Sequence, residues 1–303
     1  MGIVITATGV SHDSDTASSI EHAGRAVRAI LADAAVAPES IGVLINTGVY
    51  RDSNTVEPAI GALIQKAAGI GLEYDEHDPR SFSFDLMNGA CGVLNAVQVA
   101  SALLATGSTG RVLVVAGDTH PSMSGADAPA DFPYATAGAA LLLEHTDAAD
   151  GFGPLHVELA DGPSAVEGFV DTATMGATGR SAMTVRRSDD FETRVLDVAV
   201  SAANAALDAA DCDPATTVLI SSRPTPGFRA ALSGKVGVRA LDDAGTAAHV
   251  TGDTHTAALV LAYHHAVGAG RLDGVEHVLF VAAGAGPSAA ATVYRVPAGR
   301  AGR

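Results

Sequence analysis

The residues best suited to chemistry in this sequence stand where helices are expected to begin. Cys91 lies in FDLMNGACGVLNAVQVASALLATGSTGRVLVVAGD, residues 84–118, between a strand-like run and a long window of small residues with helical character. A helix N-terminus presents unpaired N–H groups and partial positive charge, which favours thiolate over thiol and so favours nucleophilic chemistry. Gly89, Ala90 and Gly92 around the sulfur permit a tight turn and let a carbonyl approach the backbone. The competing reading is a small apolar residue packed in a core, the common fate of a free cysteine.

Such a cysteine needs a framework. Continuous apolar runs at 2–8, 41–46, 112–116, 139–144, 217–220 and 278–283 predict strands buried on both faces. Helical windows at 17–35, 57–69, 91–106, 192–210 and 254–268 separate them, which implies crossover units in an α/β layered protein. The order repeats. AGRAVRAILADAAVAPESIGVLINTG and AVSAANAALDAADCDPATTVLISSR both run helix, acidic Pro-containing turn, strand, and the Cys91 stretch is answered by VTGDTHTAALVLAYHHAVGAGRLDGVEHVLFVAAG. Two related halves, 1–150 and 151–303, follow, with a border in the Gly/Pro-containing stretch around 145–165. Pseudo-twofold packing would bring Cys91 and the Gly252-Asp253-Thr254-His255 loop to one central site.

Bulk properties fit an α/β protein. The 303 residues are 48% hydrophobic and only 4% aromatic, with no Trp, which favours helices packed closely on sheets. A formal charge of −16 repels polyanions and argues against a nucleic-acid surface. Two cysteines, no secretory leader pattern and no apolar run of membrane-spanning length predict a cytoplasmic, disulfide-free chain.

On these residues the chain resembles the thiolase superfamily, on the branch of ketoacyl synthase III and of the thiolases that condense two acyl-CoA molecules head to head. The likeness is carried by DLMNGACGVLNAV, YATAGAALLLE, TGDTHTAA and VAAGAGPSAAATVYR, with RDSNTVEPAIG at 51–61 pointing to the head-to-head branch. The resemblance implies a five-layered αβαβα fold, a dimer, and acyl transfer to Cys91 from acyl-CoA or an acyl carrier protein, without a further cofactor. The N–H of Cys91 and one from Gly284-Ala285-Gly286 would hold the developing oxyanion. In the family a His and an Asn complete the site. Here alignment puts Ser222 at the His position and Asp253 at the Asn position. Serine is no base near neutral pH, and an ionised carboxylate only accepts hydrogen bonds, so ordinary decarboxylative condensation is not expected. A carboxylate nearby would also raise the Cys91 pKa.

Two residues offer compensation. His255 would form a Cys/His/Asp set if it turned into the site; the alternative is a first-turn residue facing the neighbouring layer. Glu57, in RDSNTVEPA, matches the Glu that in the head-to-head branch crosses the dimer interface to act as base for the partner; the alternative is a first-turn helix acid before Pro58. Arg180, Arg186, Arg187 and Arg223 belong to a basic cluster suited to CoA phosphates or an acidic carrier, or else to a solvated surface. The neighbouring His264 and His265 diverge by about 100° on a helix and predict no metal site. Three accounts result: an enzyme acting through Cys91 on acyl thioesters, a catalytically incomplete partner lending Glu57 to a homologous subunit, or a structural dimer without chemistry.

Overall fold

A computed structural model describes residues 2–55, 57–72, 81–123, 132–171, 173, 183–241, 252–284 and 286–298. Its first sheet has the order β1 (Gly2–Ser11), β5 (Ala137–Thr146), β4 (Arg111–Asp118), β2 (Val43–Asn46), β3 (Phe82–Asp85). The second has the order β11 (Arg239–Ala240), β10 (Thr217–Ser221), β12 (His277–Gly284), β13 (Ser288–Arg295), β6 (Gly151–Phe152), and β7 (His156–Leu159) also pairs with β13. The wiring is the same in both. β2 runs parallel to β3 and β4, and β4 antiparallel to β5. Likewise β10 runs parallel to β11 and β12, and β12 antiparallel to β13.

Alternate side chains along each strand face different layers, and this builds five layers from two sheets. Leu113 and Val115 face outward onto α1 (Ser19–Asp33) and α2 (Ile60–Ala68). Val112, Val114 and Ala116 face inward, joining α3 (Gly92–Ala105), α6 (Ala258–Gly268) and the inner face of the second sheet in one central core. On the far side α4 (Phe191–Ala210) and α5 (Phe228–Val236) cover Leu219, Leu279 and Val281. Each fully buried Leu, Ile or Val contributes roughly 1.5–3 kcal/mol of transfer free energy, so three contiguous cores hold the layers.

Local chemistry sets the helix ends. Ser18 caps α1 by accepting the Glu21 N–H at 3.1 Å. The start of α2 is capped from outside: the Asp85 carboxylate on β3 accepts the N–H groups of Ile60 at 3.0 Å and Gly61 at 2.7 Å. Gly69 and Gly237, at φ +73° and +71°, end α2 and α5 in the left-handed conformation that glycine adopts without steric cost.

The six strand-like runs and five helical windows all correspond to elements of the fold. The window at 254–268 is divided, its first turn being a 3₁₀ segment at His255–Ala257. The pattern did not announce β3, β6, β7, α5, β11, β13, or the hairpin of β8 (Val166–Phe169) and β9 (Thr184–Arg187), β13 being expected only from the family resemblance of VAAGAGPSAAATVYR. Most of these are strands of two to four residues, too short to display a period. Among the described residues no helix is long and apolar enough to cross a membrane, and no group of three His, Cys, Asp or Glu is placed to hold a metal.

Candidate active site

α3 and α6 lie side by side between the sheets, and their starting loops meet. Cys91 occupies the N-cap of α3, and Gly89 before it adopts φ +51°. A Cβ placed on Gly89 would lie 3.6 Å from His255 Nε2, and one on Gly284 would lie 3.2 Å from Ala90 Cβ. The Cys91 loop is thus touched by the turn before α6 and by the end of β12. A methyl group on Gly284 would crowd Ala90.

Cys91 itself is 1% exposed. Its thiol lies 3.6 Å from Ala282 O and 3.8 Å from both Ser288 O and Ser288 Oγ. Burial pushes the thiol pKa up to about 11, against a smaller lowering by the Ser288 hydrogen bond. The lowered pKa expected from the helix terminus is corrected here, because desolvation outweighs the N-terminal field and the sulfur faces carbonyl oxygens. Asp253 is not a cause of the rise. The Cys91 N–H, expected to face an oxyanion, donates to Asn88 O at 3.1 Å.

At the position aligned with the family His, Ser222 is buried and tied to β12. Its hydroxyl donates to Ala283 O at 3.0 Å and accepts the Ala283 N–H at 2.9 Å. Asp253 is nearly buried, and its Oδ1 accepts the His255 N–H at 2.8 Å while its carbonyl accepts the Ala135 N–H at 2.9 Å. Burial raises its pKa, opposed by the neighbouring His255 charge.

His255 is not a free helix-face residue: it pairs with Asp118, while the Cys91 thiol lies against Ala282 and Ser288. Its Nδ1 is 3.2 Å from Asp118 Oδ2, an ion pair in which the histidine side chain is 4% exposed and the aspartate fully buried. Asp118, at the end of β4, also accepts the N–H groups of Val49 at 2.9 Å and Tyr50 at 2.8 Å on Oδ1. Its Oδ2 accepts the Thr256 N–H at 3.1 Å and the Thr256 hydroxyl. Burial would raise the Asp118 pKa, but the His255 charge and these hydrogen bonds overcome it and hold the carboxyl below its ordinary range. Burial likewise disfavours a charged His255, and the Asp118 charge and hydrogen bond reverse that, leaving its pKa raised. The imidazole ring packs 4.2 Å from the Tyr134 ring and 5.6 Å from Tyr50.

Asp118 is the functional candidate the sequence reading missed. The signal was present: Gly117-Asp118-Thr119-His120 and Gly252-Asp253-Thr254-His255 are the same tetrapeptide, and the first supplies the carboxylate for the second's histidine.

Among the arginines, Arg187 lies beside the site. It donates to Pro224 O at 2.9 Å and stands over the rings of Phe191 and Tyr134 at 4.9 and 5.9 Å. Arg186 is exposed over Phe169 at 5.1 Å, and Arg223 is half-buried directly after Ser222. Arg180 and Ala285 lie outside the described residues, while Gly286 is exposed at φ +127°. A cleft of about 400 Å³ follows one face of α3 from Leu94 through Val97, Gln98 and Ser101, with Phe152 and Thr292 opposite.

Glu57 is exposed and stands three residues before α2, outside the helix rather than in its first turn. The Arg51-Asp52 pair preceding it is spent on bracing. Arg51 reaches Thr55 O at 3.3 Å and Asp85 Oδ2 at 3.9 Å, and Asp52 accepts Ser19 N–H and Ser19 Oγ–H, each at 2.8 Å, together with the Ser18 hydroxyl. The adjoining β3, an edge strand among the described residues, begins at exposed Phe82 and is followed by exposed Met87, at 53% and 52%.

Comparison with known proteins converges on this architecture. A family model described as 3-oxoacyl-[acyl-carrier-protein (ACP)] synthase III matches residues 84–162, which include Cys91. An acyl-CoA:acyl-CoA alkyltransferase of Xanthomonas campestris pv. campestris is 33% identical over 107 residues, 35% of this chain and 29% of that protein. A beta-ketoacyl-[acyl-carrier-protein] synthase III of Cereibacter sphaeroides is 31% identical over 128 residues, 42% of this chain and 36% of that protein. The matched stretch thus spans about a third of the length of these curated relatives.

Solved structures extend the likeness to the whole chain. The priming beta-ketosynthase of the R1128 polyketide pathway superposes with a TM-score of 0.78 at 18% identity, covering 98% of this chain and 96% of that one. The synthase III of Pseudomonas aeruginosa PAO1 gives 0.78 at 18%, covering 98% and 99%. Xanthomonas campestris OleA, solved with lauric acid and lauroyl-CoA, gives 0.70 at 17%, covering 97% and 99%. With two identically wired sheets and a central helix pair, the chain has the fold of these synthase III structures, and its residues 84–162, Cys91 among them, are similar to the synthase III family.

Proposed function

We propose that this protein handles acyl thioesters, of CoA or of an acyl carrier protein, in acyl transfer or non-decarboxylative Claisen condensation at the Cys91 loop of a thiolase-fold dimer. The observation that carries this reading is the meeting of the α3 start with the end of β12 and the turn before α6: Gly284 against Ala90, and His255 Nε2 against Gly89. The cleft beside α3 gives an acyl chain a partly apolar path along the helix that Cys91 begins. A neutral thiol with a pKa of about 11 must lose its proton during attack, so acylation requires local opening or a base. The test is intact mass spectrometry after incubation with octanoyl-CoA. An octanoyl adduct absent from Cys91→Ala is expected, and a wild-type protein that never carries one rules out acyl transfer through Cys91.

A second reading is favoured by two observations. Ser222 is locked to Ala283 and supplies no base, while Glu57 is exposed on a loop braced against an edge strand. A strand edge unpaired among the described residues, with exposed Phe82 and Met87, suits pairing with another subunit. In this reading the chain is the incomplete member of a heterodimer and delivers Glu57 to a homologous partner's site as base. Joint activity with such a partner should collapse in Glu57→Ala and survive Cys91→Ala; full joint activity in Glu57→Ala refutes it.

A further inference from the structure

We infer that His255, held by Asp118, is the hydrogen-bond donor that engages an acyl-thioester carbonyl at the Cys91 loop. The inference rests on the acyl-thioester reading above and adds to it a residue and a charge state.

Four features set His255 apart from a histidine that merely fills space. Its backbone sits at φ +47°, a left-handed conformation uncommon for a residue with a side chain, and the Asp253 carboxylate holds it there through the 2.8 Å bond to its N–H. Its Nδ1 is occupied by a fully buried carboxylate. Its ring is clamped on Tyr134. Its Nε2 lies 3.6 Å from where a Cβ on Gly89 would stand, and Gly89 has no side chain to block an approach. A ring fixed on one nitrogen with the other turned towards the nucleophile loop is preorganised to donate outward.

The charge follows from what surrounds it. Asp118 on β4 and Asp253 on the same loop favour the imidazolium, Arg187 on β9 and burial oppose it, and the Tyr50 and Tyr134 rings pack against it. The sum favours the charged form, whose N–H bonds are stronger donors than those of neutral imidazole. When sulfur attacks a thioester, the new C–S bond pushes the carbonyl electron pair onto oxygen. The Nε2–H would stabilise that oxygen until it re-forms the carbonyl and expels the CoA thiolate, which leaves as the thiol by taking up the proton released from the Cys91 thiol. Asp118 is the positioning residue: it fixes the tautomer, the ring plane and the charge.

The experiment uses octanoyl-CoA bound to the full-length Cys91→Ala protein, with the thioester C=O stretch read by isotope-edited infrared spectroscopy. A shift to lower frequency is expected, and it should vanish as pH rises through the His255 titration. His255→Asn is the informative variant, because Asn reaches Asp118 as Nδ1 does, tolerates a left-handed backbone and lacks the Nε2 donor. The shift should disappear in Cys91→Ala/His255→Asn, and acylation of the single His255→Asn variant should slow by about 100-fold or more. Absence of a bound-state shift, or a shift that survives His255→Asn, overturns the inference. A shift that behaves as expected while the wild type forms no acyl-cysteine supports the donor and sinks only transfer through Cys91.

Discussion

At the start of α3 the chain buries Ala90 and a neutral thiol that faces carbonyl oxygens; at the start of α6 it buries Asp253 and His255, with an ion pair to Asp118. Both starts sit on equivalent strands of equivalent sheets. The first half has kept its helix start small and apolar, so desolvation governs the sulfur. The second has concentrated charge at the corresponding place and must satisfy it from the other half. The two sheets supply matched frames, and on the function proposed above the side chains placed on them divide the labour between a reacting position and an electrostatic one.

The comparison implies very different costs for breaking each start. Asp118→Ala leaves His255 buried beside a lost counter-charge and abandons the N–H groups of Val49, Tyr50 and Thr256, so it should cost about 3–5 kcal/mol. Cys91→Ala removes one apolar sulfur and should cost only about 1 kcal/mol. Urea unfolding of both variants checks the pair. Equal losses would erase the distinction.

A second contrast concerns the outer layers. A Cβ on Gly138 of β5 would meet the backbone of α1, 2.6 Å from Ala23 N, whereas the corresponding strand β13 carries Ala289 and Ala291 in contact with the core beneath α4. Helix α1 lies closer to its sheet than a methyl group allows. Gly138→Ala should therefore destabilise by about 1–3 kcal/mol, measured by the same unfolding curves. A neutral result would mean that α1 shifts freely.

The pH dependence sharpens the charged side of the comparison. His255 has a raised pKa, so its contribution is complete below its ordinary value of 6.5 and is lost as pH rises through the folded value. Asp118 has a lowered pKa, so its contribution is complete above 3.8 and is lost as pH falls through the folded value. Asp253, raised by burial, also makes stability fall as pH increases above 3.8. Thermal unfolding should show the alkaline loss in wild type and not in His255→Asn. The smallest effect is in the thiols: iodoacetamide should label half-exposed Cys212 before Cys91, whose rate should climb as pH approaches about 11. Preferential labelling of Cys91 at neutral pH would show the sulfur more accessible and more acidic than its burial allows.

Much of this architecture was legible in the amino-acid pattern, for a physical reason. Runs such as Val112–Ala116 and Val278–Ala283 are apolar on both faces because helices cover both faces. The strands of β8 and β9 and the short α5 carry too few residues to show a period. At the site, Cys91 was visible from its small neighbours, but its acidity was misjudged, since a helix terminus is read from sequence and the degree of burial is not. The Asp118–His255 contact joins residues 137 positions apart, and only packing of the two halves reveals it.

A crystal structure of the Cys91→Ala protein with octanoyl-CoA tests the central claim most directly. The account predicts the thioester carbon beside residue 91, its oxygen within hydrogen-bond distance of His255 Nε2, and the chain lying along α3 towards Phe152. An acyl group bound elsewhere, with the 88–91 loop and His255 still closed on each other, would contradict it.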